Sequence, residues 1–108
     1  MKYALLIYGS APTGEASREM PREIAAVLDR PGVAGWTRLH GIDSATTVRR
    51  EQGKRLLTDG PFVDTKEYLG GLVIVDAADI DGALAVADEL LSVRPGVAIE
   101  VRPLLETV

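Results

Sequence analysis

Several residues suited to acid–base chemistry lie together in the stretch Thr58–Gly71, which holds three carboxylates, a lysine and a tyrosine. Asp59 stands before Gly60-Pro61, a sequence typical of a turn. An Asx turn uses the backbone N–H two residues further on, and Pro61 has none. The carboxylate must therefore accept from a more distant N–H, meet a basic side chain, or stay available to a ligand. Asp59 is a candidate site carboxylate, and the alternative interpretation is a plain turn former.

His40 is the only histidine in the chain. Imidazole is the side chain whose ordinary pKa lies near neutrality, so a histidine is the first candidate for a general base. We predict that His40 and Asp59 act as base and orienting carboxylate if the fold brings them about 2.6–3.2 Å apart or within reach of one bridging water. The alternative is a histidine at a strand end that bonds only to backbone or solvent.

Four further side chains are candidates for substrate binding. Lys66 would contact an anion, and Arg49 would orient a carboxylate, because a guanidinium can donate two parallel hydrogen bonds to it. Glu67 would serve as an acid or a base, and Tyr8 would donate a hydrogen bond or a proton. The structural alternatives are a solvated pair of Lys66 and Glu67, and a tyrosine that packs with its hydroxyl at the rim of the sheet.

The composition argues against several other kinds of chemistry. The chain has no cysteine, which removes disulfides, thiol catalysis and zinc–thiolate sites. The carboxylates match no calcium loop, and no phosphate- or dinucleotide-binding glycine motif occurs, so we expect neither a metal nor a cofactor. A net charge of −4 disfavours nucleic acid as a partner. No apolar run approaches the roughly 20 residues that cross a bilayer. We expect a cytoplasmic protein with no membrane partner.

Strand and helix patterns alternate along the 108 residues, which is the length of one domain. Continuous apolar runs predict buried strands, and apolar residues three and four positions apart predict amphipathic helices. The predicted elements are strand Lys2–Tyr8, helix Arg18–Arg30 capped by Ser17, strand Gly35–Gly41, hairpin strands Ala45–Arg50 and Arg55–Thr58, a loop over Thr58–Gly71, strand Leu72–Val75, helix Ile80–Val93 capped by Asp79, and strand Val97–Arg102.

An internal repeat supports a two-part fold. The string Arg-Pro-Gly-Val-Ala occurs at 30–34 and again at 94–98, each time between a predicted helix and the strand after it. Two such βαβ halves joined by a hairpin form the ferredoxin-like split βαβ plan. The predicted fold is therefore α+β, with an antiparallel sheet and two helices on one of its faces.

That arrangement leaves one face of the sheet without cover. The strands at Lys2–Tyr8 and Leu72–Val75 are apolar on both faces, and an exposed apolar surface of that size is unusual on a soluble monomer. The simplest cover is the same face of a second copy, which gives a two-fold homodimer. The alternative is cover from within the chain by the hairpin Ala45–Thr58.

The central stretch also carries a family resemblance. Asp59-Gly60-Pro61-Phe62, followed by Thr65-Lys66-Glu67 and Gly70-Gly71, resembles the YCII-related proteins of the DGPF branch. The similarity extends to the opening, middle and closing pieces Met1–Tyr8, Ala45–Arg49 and Ile99–Pro103. The resemblance implies one YCII-related domain over residues 1–108. It also implies that ferredoxin-like domains pair into a dimeric α+β barrel, in a family whose biochemical role is mostly undefined.

The resemblance implies two hypotheses for function. Shorter relatives are thought to use a histidine near the start of the first helix with an aspartate; residues 18–22 contain no histidine here, so His40 would have to replace it in space. The wider family includes a dehydrochlorinase that acts on an aromatic, which suggests a small homodimeric lyase-like enzyme on a small organic acid or phenol. DGPF-branch proteins are often encoded beside alternative sigma factors, which suggests instead a non-catalytic dimer that binds a small molecule or a protein, with a regulatory or stress role.

Overall fold

The computed structural model describes residues 1–10, 19–63 and 66–106. Within these ranges the chain forms the strands and helices β1 (Lys2–Gly9), α1 (Arg22–Leu28), β2 (Val33–Arg38), β3 (Thr46–Glu51), β4 (Lys54–Asp59), β5 (Tyr68–Asp76), α2 (Ile80–Val93) and β6 (Ala98–Pro103). A short 3-10 turn, Ile42–Ser44, connects β2 to β3.

Four of the strands form an antiparallel sheet in the order β2-β5-β1-β6. The two βαβ halves, β1-α1-β2 and β5-α2-β6, are thus interleaved in one sheet, with β1 and β5 at the centre. This is the predicted ferredoxin-like α+β arrangement. β3 and β4 pair with each other as a separate hairpin.

Both helices pack on one face of the sheet. Alternate strand residues point to that side, and Leu5, Val73 and Val75 there are at most 3% exposed. They form one cluster with buried residues of the two helices: Ile24, Val27, Leu28, Ala87 and Leu90. Full burial of each large aliphatic side chain contributes roughly 1.5–3 kcal/mol, so this cluster is the main source of the stability of the domain.

The opposite face of the same strands carries apolar residues outside that core. Two cross-strand pairs, Ala4 with Ile74 and Leu6 with Leu72, define what we call the open face. Leu6, Leu72 and Ile74 are only partly buried and lie outside the core cluster of the described residues. The hairpin Ala45–Thr58 neither pairs with the sheet nor packs broadly against it. Among the described residues, the hairpin therefore does not cover the open face, which was the alternative considered from the sequence.

Instead, the β3–β4 hairpin stands beside the body of the molecule as an arm. The radius of gyration is 15.7 Å, whereas a compact domain of this length has about 13 Å. The molecule measures 44 × 39 × 20 Å, and its smallest extent is about the thickness of one helix layer on one sheet. The arm therefore projects sideways and does not fold over either face.

α1 is shorter than the sequence predicts. It begins after Pro21, which is its N-cap residue with φ −55° and ψ 141°, and it ends at Leu28 instead of spanning Arg18–Arg30. A proline also disfavours helical angles at the residue before it, so the helix does not extend toward the N-terminus. The predicted cap, Ser17, lies outside the described residues. β2 ends at Arg38, so the prediction that it reaches Gly41 is wrong, and His40 follows the strand.

The stretch Thr58–Gly71, predicted as a loop, is a loop only in its middle. Thr58 and Asp59 end β4, and β5 already begins at Tyr68. On β1, Ile7 pairs with Gly71 but Tyr8 pairs with Leu69, so Gly70 is the extra residue of a β-bulge. With this bulge β5 begins at Tyr68, four residues earlier than the predicted start at Leu72.

The prediction for α2 is confirmed at both ends. Asp79 caps it, because the Asp79 carboxylate accepts a hydrogen bond of 3.1 Å from the Gly82 amide. Gly82, unfavourable inside a helix, has a packing reason: a Cβ there would lie 3.0 Å from Ala77 Cβ. Neither this helix nor the other in the described part of the chain has the length and apolar character of a membrane span.

Candidate functional site

A cavity of about 610 Å³ lies on the helix side of the sheet, at the end where β1 finishes and β5 begins. We call it the helix-side cavity. Its apolar lining comes from both helices and three strands of the sheet: Ile7, Ile24, Leu28, Val73, Leu90 and Ile99. Four of these residues also belong to the buried core. The cavity is therefore an opening into the core.

The short first helix explains why this space is left. α1 has seven residues and is about 10 Å long, whereas β5 has nine residues and is about 30 Å long. The strands thus extend past the N-terminal end of α1. Where they do, Gly9, Gly70 and Gly71 line the cavity and provide no side chains to fill it. A Cβ at Gly71 would lie 3.3 Å from Thr37 O, so the strands are also closely spaced there.

The charged residues of the helix-side cavity lie at its mouth. Glu19, Arg38, His40 and Arg94 all line the cavity and are exposed, whereas the apolar residues deeper in it are buried or partly buried. Trp36 also lines it and is 46% exposed. The arrangement is an apolar interior with two guanidinium groups, an imidazole and a carboxylate near the solvent, which suits a ligand with an apolar body and a polar head.

A second depression lies next to the first and has a volume of about 680 Å³. We call it the open-side groove, because Tyr8 and Leu69, which pair across β1 and β5, form part of it together with the loop residues Pro61, Phe62 and Val63. Phe62 is 69% exposed and Val63 is 55% exposed, so the loop wall of the groove is apolar and largely uncovered.

The two depressions share a wall. The residues that line both belong to two short segments, 39–42 after β2 and 68–69 at the start of β5. His40 is in the first segment and Tyr68 in the second. A ligand in either depression would therefore meet the His40 segment, which makes it the central element of the site.

The structure brings three of the six predicted site residues together. His40, Tyr8 and Glu67 all line the open-side groove, and His40 also lines the helix-side cavity. Asp59, Arg49 and Lys66 line neither depression among the described residues. The predicted base and the predicted orienting carboxylate thus do not line a common depression.

Asp59 is the last residue of β4, at the base of the arm. One backbone and one side-chain hydrogen bond hold the turn after it: the Gly60 amide donates to Ala45 O at 2.8 Å, and Thr47 Oγ1 donates to Gly60 O at 2.8 Å. Gly60 has φ +101°, a left-handed conformation that favours glycine. Within the described part of the chain the Asp59 carboxylate makes no hydrogen bond or ion pair.

Arg49 and Lys66 lie on exposed parts of the chain. Arg49 forms an ion pair of 2.9 Å with Glu51 on its own strand, and its guanidinium stands over the Phe62 ring at 5.4 Å from the centroid. Through Phe62 it borders the open-side groove without lining it. Lys66 is exposed beside the short undescribed segment 64–65.

Sequence reasoning missed most of the helix-side cavity. Trp36 and Arg38 are two residues apart on β2, and His40 continues the same spacing, so the period of a strand would have placed the three on one side of the sheet. Gly70-Gly71 was a second signal, because glycine in a strand marks a bulge or a space. No such signal identifies Arg94, which reaches the cavity from the end of α2.

The described residues contain no group of three histidine or carboxylate side chains that could hold a metal ion. The arrangement offers acid–base and ion-pairing groups around an apolar space.

Comparison with known proteins agrees with this fold. The family model of the YCII-related domain matches residues 1–107. An uncharacterised protein of Rhizobium meliloti (strain 1021) is 36% identical over 114 aligned residues, which cover 96% of this chain and 92% of that protein. The chain belongs to the YCII-related domain family.

Proposed function

We propose that this chain binds a small organic molecule with an apolar body and an acidic group, a carboxylate or a phenol, in the helix-side cavity. We also propose that His40 acts on it as a general base. The observation that carries the proposal is the cavity itself, in which buried aliphatic side chains meet His40 and two arginines at the mouth.

The size and lining of the cavity support this choice of ligand. A volume of about 610 Å³ is in the range of roughly 300–1,000 Å³ that is typical of small-molecule sites. Arg38 and Arg94 give the mouth two positive charges against one carboxylate, Glu19, so an anionic head is favoured over a cationic one.

The chemistry that fits His40 is lyase-like. The imidazole would take a proton from a carbon of the bound molecule, the C–H electrons would form a double bond, and a leaving group on the adjacent carbon would depart with its own electron pair. This needs one base and no cofactor.

A second candidate function is binding without catalysis. Asp59 does not share a cavity with His40, so the carboxylate predicted to orient the imidazole is not part of the proposed site. A non-catalytic dimer that senses a small molecule, in a regulatory or stress role linked to alternative sigma factors, needs only the cavity.

We further propose that the functional unit is a homodimer formed through the open face. The partly buried apolar side chains of Leu6, Leu72 and Ile74 support this, because a second copy would bury them further. An Ile74→Lys variant should remain folded and sediment at 11.5 kDa, while the wild type should sediment at twice that mass. Equal masses for the two proteins would exclude this interface.

The ligand proposal has a direct optical test, because Trp36 is the only tryptophan and lines the cavity. We expect cyclohexanecarboxylate to change the Trp36 fluorescence in a saturable way, and cyclohexanecarboxamide, which is neutral, to bind at least about tenfold more weakly. Arg38→Met should remove this difference, whereas Arg22→Met, an exposed arginine on α1 outside the cavity lining, should keep it. Equal binding of acid and amide by the wild type would contradict the proposal.

Catalysis is tested separately from binding. A set of small carboxylic acids and phenols that bind would be incubated with the protein in D2O and followed by NMR for exchange of carbon-bound protons or for elimination products. His40→Gln should abolish the reaction and leave affinity within about threefold, and Asp59→Asn should change neither. Reaction without His40 would exclude it as the base; binding without any reaction would favour the non-catalytic function.

A further inference from the structure

The β3–β4 arm carries apolar side chains that the described part of the chain leaves largely exposed. Val48 is 63% exposed, and Leu57, directly opposite on β4, is 57% exposed. An isolated two-stranded hairpin is marginally stable in water, since it buries little apolar surface. The exposed apolar pair Val48 and Leu57 on a folded hairpin therefore indicates a surface that another molecule covers.

The two faces of the arm differ in charge balance. On one face Arg49 is paired with Glu51, and Arg49 also stands over Phe62. On the other face Val48 and Leu57 are followed by Arg50 and Arg55, which are also directly opposite each other. Like charges in this position repel, and these two arginines have no carboxylate partner among the described residues. We call Val48, Leu57, Arg50 and Arg55 the docking face of the arm.

The charge of the arm is opposite to that of the rest of the chain. Residues 46–59 contain four basic side chains, Arg49, Arg50, Lys54 and Arg55, and two acidic ones, Glu51 and Asp59, which gives +2. The whole chain carries −4, so the remainder carries −6. A second copy of this chain is therefore a partner of complementary charge for the arm, and an apolar pair flanked by two arginines suits such a contact.

We propose that the docking face of each arm binds the acidic body of a second copy, so that two copies hold each other reciprocally by their arms. The proposal rests on the homodimer proposed above and adds the arm to its interface. The shape of the molecule supports the proposal. The arm projects sideways, roughly in the plane of a molecule only 20 Å thick, so it extends past the edge of the sheet and can overlap a neighbouring copy. In a two-fold dimer each copy provides one arm and receives one.

The test compares two adjacent leucines of β4 by sedimentation equilibrium of the full chain. Leu57→Ser changes the docking face, and Leu56→Ser makes the same chemical change on the opposite face. We expect Leu57→Ser to weaken dimerisation at least about tenfold and Leu56→Ser to change it less than about threefold. Arg50→Glu with Arg55→Glu should weaken it by a similar or larger factor, and added salt should weaken the wild-type dimer. Circular dichroism would establish that each variant is folded.

The outcomes separate this proposal from the dimer itself. A wild type that stays monomeric overturns both. A wild-type dimer that Ile74→Lys dissociates but Leu57→Ser and the double arginine variant leave intact overturns the arm alone, and the open-face interface stands. A third outcome is that the arm variants leave the dimer unaffected, but the wild type binds vesicles containing phosphatidylserine and the double arginine variant does not. This outcome also overturns the proposal, and it assigns the docking face to an anionic membrane surface.

Discussion

Leu5 and Leu6 are neighbours on β1, yet they meet different surroundings. Leu5 points to the helix side and is fully buried, whereas Leu6 points to the open face and is only partly buried. The same contrast holds across β5, where Val73 and Val75 are buried and Leu72 and Ile74 are not. In each of the two strands the fold thus covers these helix-side residues more fully than the open-face residues beside them.

The difference separates the apolar side chains that the single chain buries from those that it leaves partly or largely exposed. The helix-side face holds the core and, where α1 ends early, a cavity suited to a ligand. The open face carries partly buried apolar side chains, and the arm carries largely exposed ones. Both depressions reach the His40 segment at the boundary between the two sides.

The largest effect should come from the two leucines themselves. Leu5→Ala should lower the free energy of unfolding by about 3–5 kcal/mol, because it leaves a cavity in a packed core. Leu6→Ala should cost about 1 kcal/mol at protein concentrations where the chain is monomeric, since its side chain is partly in water there. Urea denaturation followed by circular dichroism measures both.

The concentration dependence of the same measurement provides the control. The cost of Leu6→Ala should grow as the wild-type dimer forms, whereas that of Leu5→Ala should not. Equal costs at low concentration would mean that the two faces are equally covered within one chain.

Two glycines give a smaller, second comparison. Gly71 is buried beside the helix-side cavity, and Gly35 on β2 pairs with Ile74 of the open face. A Cβ at Gly71 would lie 3.3 Å from the Thr37 carbonyl oxygen, whereas one at Gly35 would meet nothing within 4 Å. Gly71→Ala should therefore cost about 1–3 kcal/mol, and Gly35→Ala should be neutral or stabilising by up to about 1 kcal/mol. Thermal unfolding that ranks them in the opposite order would contradict the described spacing of β2 and β5.

The smallest effect concerns the helix that covers the core. Asp79→Ala should cost about 1 kcal/mol, because it removes the hydrogen bond to the Gly82 amide at the start of α2. Asp88→Ala, an exposed carboxylate in the middle of the same helix, should change stability by less than about 0.5 kcal/mol. If Asp79→Ala and Asp88→Ala lower stability equally, the loss of a negative charge, rather than the loss of the capping hydrogen bond, accounts for the effect.

Much of the fold could be predicted because its signals are local. The continuous apolar runs of β1 and β5, the cap at Asp79 and the repeated Arg-Pro-Gly connections each act over a few residues. The limits of α1 and of β5 were less predictable. Pro21 sets the start of α1, and a bulge at Gly70 accompanies the early start of β5. Whether a proline or a bulge ends an element depends on the pairing around it.

The site was less predictable than the fold, because a cavity is a property of how elements meet. His40 was identified from its chemistry, and Tyr8 and Glu67 line the same groove. Asp59 was chosen because its nearest hydrogen-bond partner is a proline, but the turn is closed by Gly60 and Thr47 instead, at the base of the arm. Arg38 and Arg94 are distant in sequence, and only the packed helices bring them to one cavity.

The most direct test of a ligand site on the helix side is a ¹H–¹⁵N NMR titration of the wild-type protein with cyclohexanecarboxylate. We predict that the Trp36 indole and the amides of Gly70 and Gly71 shift in a saturable way, while the arm amides, 46–59, stay in place. Shifts confined to the arm or the open face, or no shifts at saturating ligand, would contradict the assignment of the helix-side cavity as the binding site.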